Sequence, residues 1–176
     1  MVDYQEVGRV VGAMTHGNDW SSATTLLVGL WLDDYFTVTP SSEIVETRAQ
    51  GFSYLFDIQN ERLIAAWGES QGRHGGPRDA RRMAGHPLSA GSQYHRGHVI
   101  PHTLGGGTDI NLVPQLGRIN IGPFRPLEKK AVKTPGSFYF TYWSYVSATG
   151  HGQTPTAVDQ GLLIAGHAPD IRHHGN

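Results

Sequence analysis

The chain contains no cysteine. Disulfides and thiolate metal sites are thereby excluded, while the redox compartment stays open. It also lacks a long apolar run. The segment from Leu26 to Leu32 comes nearest and falls far short of the roughly 20 residues a membrane span requires, so no membrane partner is expected. The opening residues Met1 to Glu6 carry no basic stretch followed by an apolar core, and a cleavable secretory signal is not expected in this sequence. Repeats and low-complexity tracts are absent. Overall basicity is missing too: the net charge is −1 with ten histidines counted neutral, which does not by itself advertise a nucleic-acid binder. What the chain has in quantity is punctuation, with 23 Gly and 10 Pro among 176 residues. A length of this order fits one domain able to bury roughly 70% of its unfolded surface.

The charge is unevenly spread. Arg73, Arg78, Arg81, Arg82 and Arg96 share one stretch with a single acid, Asp79, and Lys129, Lys130 and Lys133 follow. Most acids lie in the first 70 residues, so the chain is electrically lopsided. Asp3 and Glu6 stand at capping-box spacing and Val7, Val10, Val11 and Met14 form one stripe, which predicts a short helix. The apolar run Ser21 to Tyr35 is read as a second helix, capped near Ser22 and packed on the first. Phe52, Tyr54, Phe56 and Ile58 alternate as a half-buried strand should, Gln59 to Arg62 can turn the chain, and Leu63 to Trp67 returns as a strand. Gly68 to Gly91 reads as an exposed loop, and its arginines from Arg73 to Arg82 are read equally as solvated or as phosphate-binding. Strands are expected at Tyr94 to Pro101 and Phe138 to Val146, the second as core before any base-stacking platform. The tail is expected to pack around a turn of helix at Ala157 to Leu163, with His167, His173 and His174 exposed.

The chemistry concentrates between His95 and Lys130. His98 follows Gly97, a residue that leaves room for a backbone or a phosphate to come close. Arg96 lies two residues earlier and, in a strand, on the same face. Asn111 and Asn120 come next, nine positions apart, then Arg125 and Glu128. Phosphodiester hydrolysis needs a base for water, a cation on the phosphate and donors for developing charge. A neutral imidazole suits the first task. A carboxamide oxygen suits Mg²⁺, which keeps several waters and needs few protein ligands. An arginine can clamp phosphate bidentately.

This segment resembles the DNA/RNA non-specific endonuclease family, of the His-Me finger or ββα-metal type. The resemblance rests on Arg96-Gly97-His98, the turn Gly105-Gly106-Gly107, Asn111-Leu112-Val113-Pro114-Gln115, Asn120 and Glu128, in that order. It is close over residues 95–130 and looser from Tyr54 to the tail. The first 50 residues match nothing in it and are read as a helical extension ahead of a core over 51–176. The resemblance implies an α+β fold, a central antiparallel sheet flanked by helices with an embedded ββα-metal motif. It implies that His98 activates water, Asn120 binds Mg²⁺ or Mn²⁺ directly, and Glu128 acts on the metal through water. Asn111 would orient the histidine or brace the site, and Arg96 and Arg125 would contact phosphate. The implied activity is cleavage of DNA, and of RNA, with little sequence specificity and 5′-phosphate ends. Related domains also occur as delivered bacterial toxins restrained by an immunity protein, so a secreted or delivered location is expected.

Two features depart from the family pattern. Position 95, commonly Asp, is His95, and Pro123 and Pro126 interrupt the helix expected from Asn120 to Glu128. The prolines predict a short helical turn at Asn120, a break, and a new helix near Pro126. An alternative of another class is a catalytically inactive nucleic-acid- or zinc-binding module on the same scaffold. His95, His98 and His102 invite the zinc reading, but strand residues three apart point to opposite faces.

Overall fold

The computed structural model describes residues 2–15, 19–77, 81, 83–87, 90–146 and 152–176. Two aspartates start its N-terminal helices. The Asp3 carboxylate accepts the Gln5 amide at 2.9 Å, ahead of α1 (Gln5–Ala13), and Asp19 accepts the Ser21 amide at 3.0 Å, ahead of α2 (Ser21–Val38). The second cap therefore lies three residues before Ser22. Ala23, Leu27, Trp31 and Tyr35 recur every fourth residue and are all buried, giving α2 one continuous inward stripe. Among the described residues no helix is long and apolar enough to cross a membrane.

Six strands form an antiparallel sheet. They are β1 (Ile44–Ala49), β2 (Phe52–Asp57), β3 (Arg62–Glu69), β6 (Phe138–Ser144), β7 (Ala157–Leu163) and β8 (Asp170–Gly175), ordered β1-β2-β3-β6-β7-β8. Two more strands, β4 (Tyr94–His98) and β5 (Leu112–Leu116), pair as a separate antiparallel ribbon. The protein is thus an α+β fold. The first 50 residues, expected as a helical extension, also contribute β1, an edge strand of the main sheet.

Strand β6 shows why this sheet is covered on both sides. Phe138, Phe140 and Tyr142 meet Trp20 and Trp31 on the helix side, with ring centroids 5.3–6.0 Å apart. The alternate residues face the ribbon side. Thr141 Oγ1 donates to the Val99 carbonyl at 3.3 Å, and Trp143 packs on Phe124 at 6.1 Å. Its aromatics are all buried, so the strand is core. The same double coverage corrects the expectation for β2: five of its six residues are buried where alternation predicted a half-exposed strand.

The tail differs from expectation more sharply. Ala157–Leu163 is strand β7 and not a helical turn. Its Gly161 lies opposite Phe140, whose ring occupies the space a Cβ would need. A glycine there weakens a helix by about 1 kcal/mol but admits the aromatic ring, and pairing with β6 decides the outcome. His173 and His174 consequently belong to β8 and not to a loose end. His173 Nδ1 meets the Asp159 carboxylate at 2.7 Å, and the His174 ring packs 5.4 Å from Phe124.

Candidate active site

Strand β4 ends at His98, which pairs with Leu112 at the start of β5. Beyond His98 the chain turns through a single 3-10 turn, His102–Leu104, and a loop that returns at Asn111. The side chain of Asn111, fully buried, ties this excursion together. Its Oδ1 accepts the Ile100 amide at 2.8 Å, and its Nδ2 donates to the carbonyls of Ile100 and Gly107 at 2.7 and 3.0 Å. The Asn111 carbonyl accepts from Val99 at 3.0 Å. Asn111 therefore acts on the backbone that follows His98.

The far end of β5 is pinned by Asn176. Its Oδ1 accepts the Leu116 amide at 2.8 Å and its Nδ2 donates to Pro114 and Pro155 at 3.0 and 2.9 Å. Immediately after come α3 (Gly117–Asn120), a turn, and α4 (Arg125–Lys133) with Pro126 in its first turn. The break is where Pro123 and Pro126 require it, since a proline ring is tolerated only at a helix start. Buried Leu127 and Ala131 hold α4 against the body, and Ser70 Oγ donates to the Ala131 carbonyl at 2.8 Å.

Between the ribbon and α4 lies a cleft of about 650 Å³. His98, Asn120, Arg125 and Glu128 all line it. Arg73, from the loop whose arginines were open to phosphate binding, joins them, with three residues that sequence reasoning did not place in the site: His102, Lys129 and Lys133. Arg125, Lys129 and Lys133 are spaced by four along α4, so one face of the helix presents three cations. That spacing was the available signal. Lys130, off this face, pairs instead with Asp170 at 2.9 Å. Like charges four apart cost a helix a few tenths of a kcal/mol each, and Arg125 in the first turn opposes the helix dipole. An anion in the cleft would offset both costs. The rim carries four permanent cations against one carboxylate, Glu128.

Within the cleft the His98 and His102 rings lie edge to face, 6.2 Å between centroids. Glu128 sits close enough to the buried Tyr139 for its charge to matter; burial first, then Glu128, drives the Tyr139 hydroxyl well above its ordinary pKa. Among the described residues no group of three His, Asp or Glu side chains is placed to hold a metal ion. The zinc trio of His95, His98 and His102 finds no common position there. Beside the two imidazoles, the cleft holds two oxygen donors, the Asn120 carboxamide and the Glu128 carboxylate. That set fits a hydrated hard ion, which tolerates few protein ligands.

Two residues behave otherwise than their spacing suggested. Arg96 lines a different cavity, with Arg62, Asp109 and Tyr145, and not the cleft. Mid-strand Arg96 and strand-end His98 open onto different spaces. Gly97 makes room for Gln115 and not for a ligand: a Cβ there would lie 2.6 Å from the Gln115 Cβ. Of the arginine-rich loop, Arg73 reaches the cleft, while Arg78 and Arg82 lie outside the described residues. No protein-family model matches this chain, and no curated protein does.

Proposed function

We propose that this chain is a metal-dependent endonuclease of the ββα-metal type that hydrolyses DNA, and RNA, with little sequence specificity. One observation carries the reading: His98, Asn120, Arg125 and Glu128, which come from three separate elements, line a single cation-rimmed cleft. The cationic face of α4 and Arg73 would draw in the phosphate backbone, a sequence-independent attraction. Arg125 would hold the scissile phosphate. His98 would take the proton from a water as its oxygen bonds to phosphorus; the bond to the 3′ oxygen breaks, leaving a 5′-phosphate and, after that oxygen takes a proton from solvent, a 3′-hydroxyl. Asn120 and, through water, Glu128 would hold Mg²⁺ or Mn²⁺, which supplies charge neutralisation at the phosphate and leaving oxygen. Asn111 serves this site by bracing the backbone after His98.

Plasmid nicking with Mg²⁺, and again with chelator, tests the reading. The expected result is metal-dependent cleavage that falls by about 10²–10⁴-fold in His98→Ala, assayed below the variant's own melting temperature because His98 is buried and its truncation costs stability. Plasmid binding without cleavage under any divalent ion would favour the inactive binding module. Wild-type turnover in His98→Ala would remove the histidine as base.

A further inference from the structure

We infer that a second cavity beside the cleft is a nucleobase subsite; the inference rests on the nuclease reading and extends it to what flanks the bound phosphate. This cavity, about 580 Å³, lies across the 3-10 turn from the first, with Thr103 lining one and its neighbour Leu104 lining the other. Arg73 lines both. A nucleotide whose phosphate engages Arg73 therefore has the second cavity within reach of its base. The size falls in the range of small-molecule sites, ~300–1,000 Å³.

Its lining suits a base and not another phosphate. Arg73 is its one cation and Glu69 brings a carboxylate, which would repel a second phosphate. The carboxamides of Gln50 and Gln71 each offer a donor and an acceptor, the pattern a base edge presents. The exposed His74 lies 3.8 Å from where a Gly105 Cβ would be and supplies a flat surface, while buried Phe52, at the same distance, backs the wall of the cavity. Base stacking on aromatic side chains tolerates every base, so such a subsite is compatible with low specificity.

The N-terminal part of the chain has a role here. Gln50 and Gly51 form the tip of the hairpin joining β1 to β2, and Gln50 adopts a φ of +55°. Glycine, asparagine or aspartate ordinarily takes that left-handed position in a two-residue turn. Glutamine lacks their fit, but its longer side chain reaches across to Gly107, whose missing Cβ makes the space. The hairpin tip thus meets the glycine-rich loop over the second cavity. A disfavoured conformation at this spot is the kind of cost that function retains.

The test is equilibrium binding in chelator, using a fluorescein-labelled four-nucleotide DNA and versions with one abasic position each. Removing one particular base is expected to weaken binding about tenfold, and His74→Ala should erase that penalty while leaving affinity for the abasic strand unchanged. Gln50→Ala should reduce it. A flat abasic scan, an abasic penalty that persists in His74→Ala, or no binding at all would overturn the subsite. Because no cleavage is read, loss of the nuclease reading shows separately, as intact base-dependent binding beside a plasmid that is never cut.

Discussion

Replacing Asn111 by alanine separates a brace from a catalytic group. The carboxamide satisfies both polar groups of the Ile100 backbone and one of Gly107. Ile100 is fully buried, so its amide and carbonyl cannot turn to water once the side chain is gone. Each buried group left unsatisfied costs about 1–3 kcal/mol, whereas Gly107 is partly exposed and can be rehydrated. The two Ile100 groups alone set the loss at about 2–6 kcal/mol. For a domain of this size each kcal/mol moves the midpoint by about 2–4 °C, so thermal denaturation should show Asn111→Ala melting roughly 10 °C below wild type. Asn111→Asp keeps the acceptor for the Ile100 amide but sets an oxygen against two carbonyls. Its carboxyl would favour the protonated, donating form when folded, so the added stability is present at low pH and is lost as pH rises. Should Asn111→Ala melt like wild type yet lose as much activity as His98→Ala, the residue takes part in the chemistry and the bracing argument fails.

Other outcomes follow from individual interactions. Gly97→Ala drives a methyl into Gln115 and should cost about 1–3 kcal/mol by overpacking; because the clash includes the Gln115 Cβ, denaturation midpoints should show the same cost in a Gln115→Ala background, and relief there would contradict it. Asp57 is buried, which pushes its carboxyl up, but hydrogen bonds from Tyr35 at 2.7 Å, the Asn60 side chain at 2.6 Å and two backbone amides hold it below the usual value. Its contribution is therefore full above the unfolded carboxyl value and disappears as pH falls through the depressed folded one. Asp57→Asn should lose about 1.5–3 kcal/mol at neutral pH and little at the acid end; a constant difference across a pH series of denaturant melts would rule this out. Replacing Lys129 and Lys133 by alanine should weaken binding to all DNA sequences alike and lower the salt slope by about one for each phosphate that is no longer neutralised. Sequence-dependent weakening, read by titration at several salt concentrations, would place those lysines against bases instead.

The site was legible where chemistry and local spacing coincide. Pro123 and Pro126 dictate the break between α3 and α4 because a proline ring admits no alternative inside a helix. The residues gathered in the cleft stand within one contiguous stretch, apart from Arg73. What tertiary context decides was not legible. The edge strand β1 is mostly exposed and its apolar residues, Ile44, Val45 and Ala49, do not alternate, so it carries no strand signature. Ala157–Leu163 has a composition that periodicity leaves open, and only its pairing with β6 makes it a strand. Arg96 and His98 line different cavities, which alternation along a strand does not foretell.

The net charge conceals how the charges are distributed over the fold. Several acids from the first and last parts of the chain are engaged on the helix side of the sheet, where tyrosines bind them. Tyr35 donates to Asp57, Tyr142 to Asp34 and Tyr4 to Asp159, at 2.7, 2.7 and 2.8 Å. In each case burial and then the carboxylate push the tyrosine upward, Tyr35 to about 12. The cations of α4 and Arg73 lie on the opposite face, separated from those acids by the buried aromatics of β6. Attraction for a polyanion depends on the field at the surface it meets, within about 8 Å at physiological salt. A whole-chain charge of −1 therefore says little about this cleft. The sheet sets the tyrosine-bound acids apart from the cations of the cleft, and the proposed function draws on the latter.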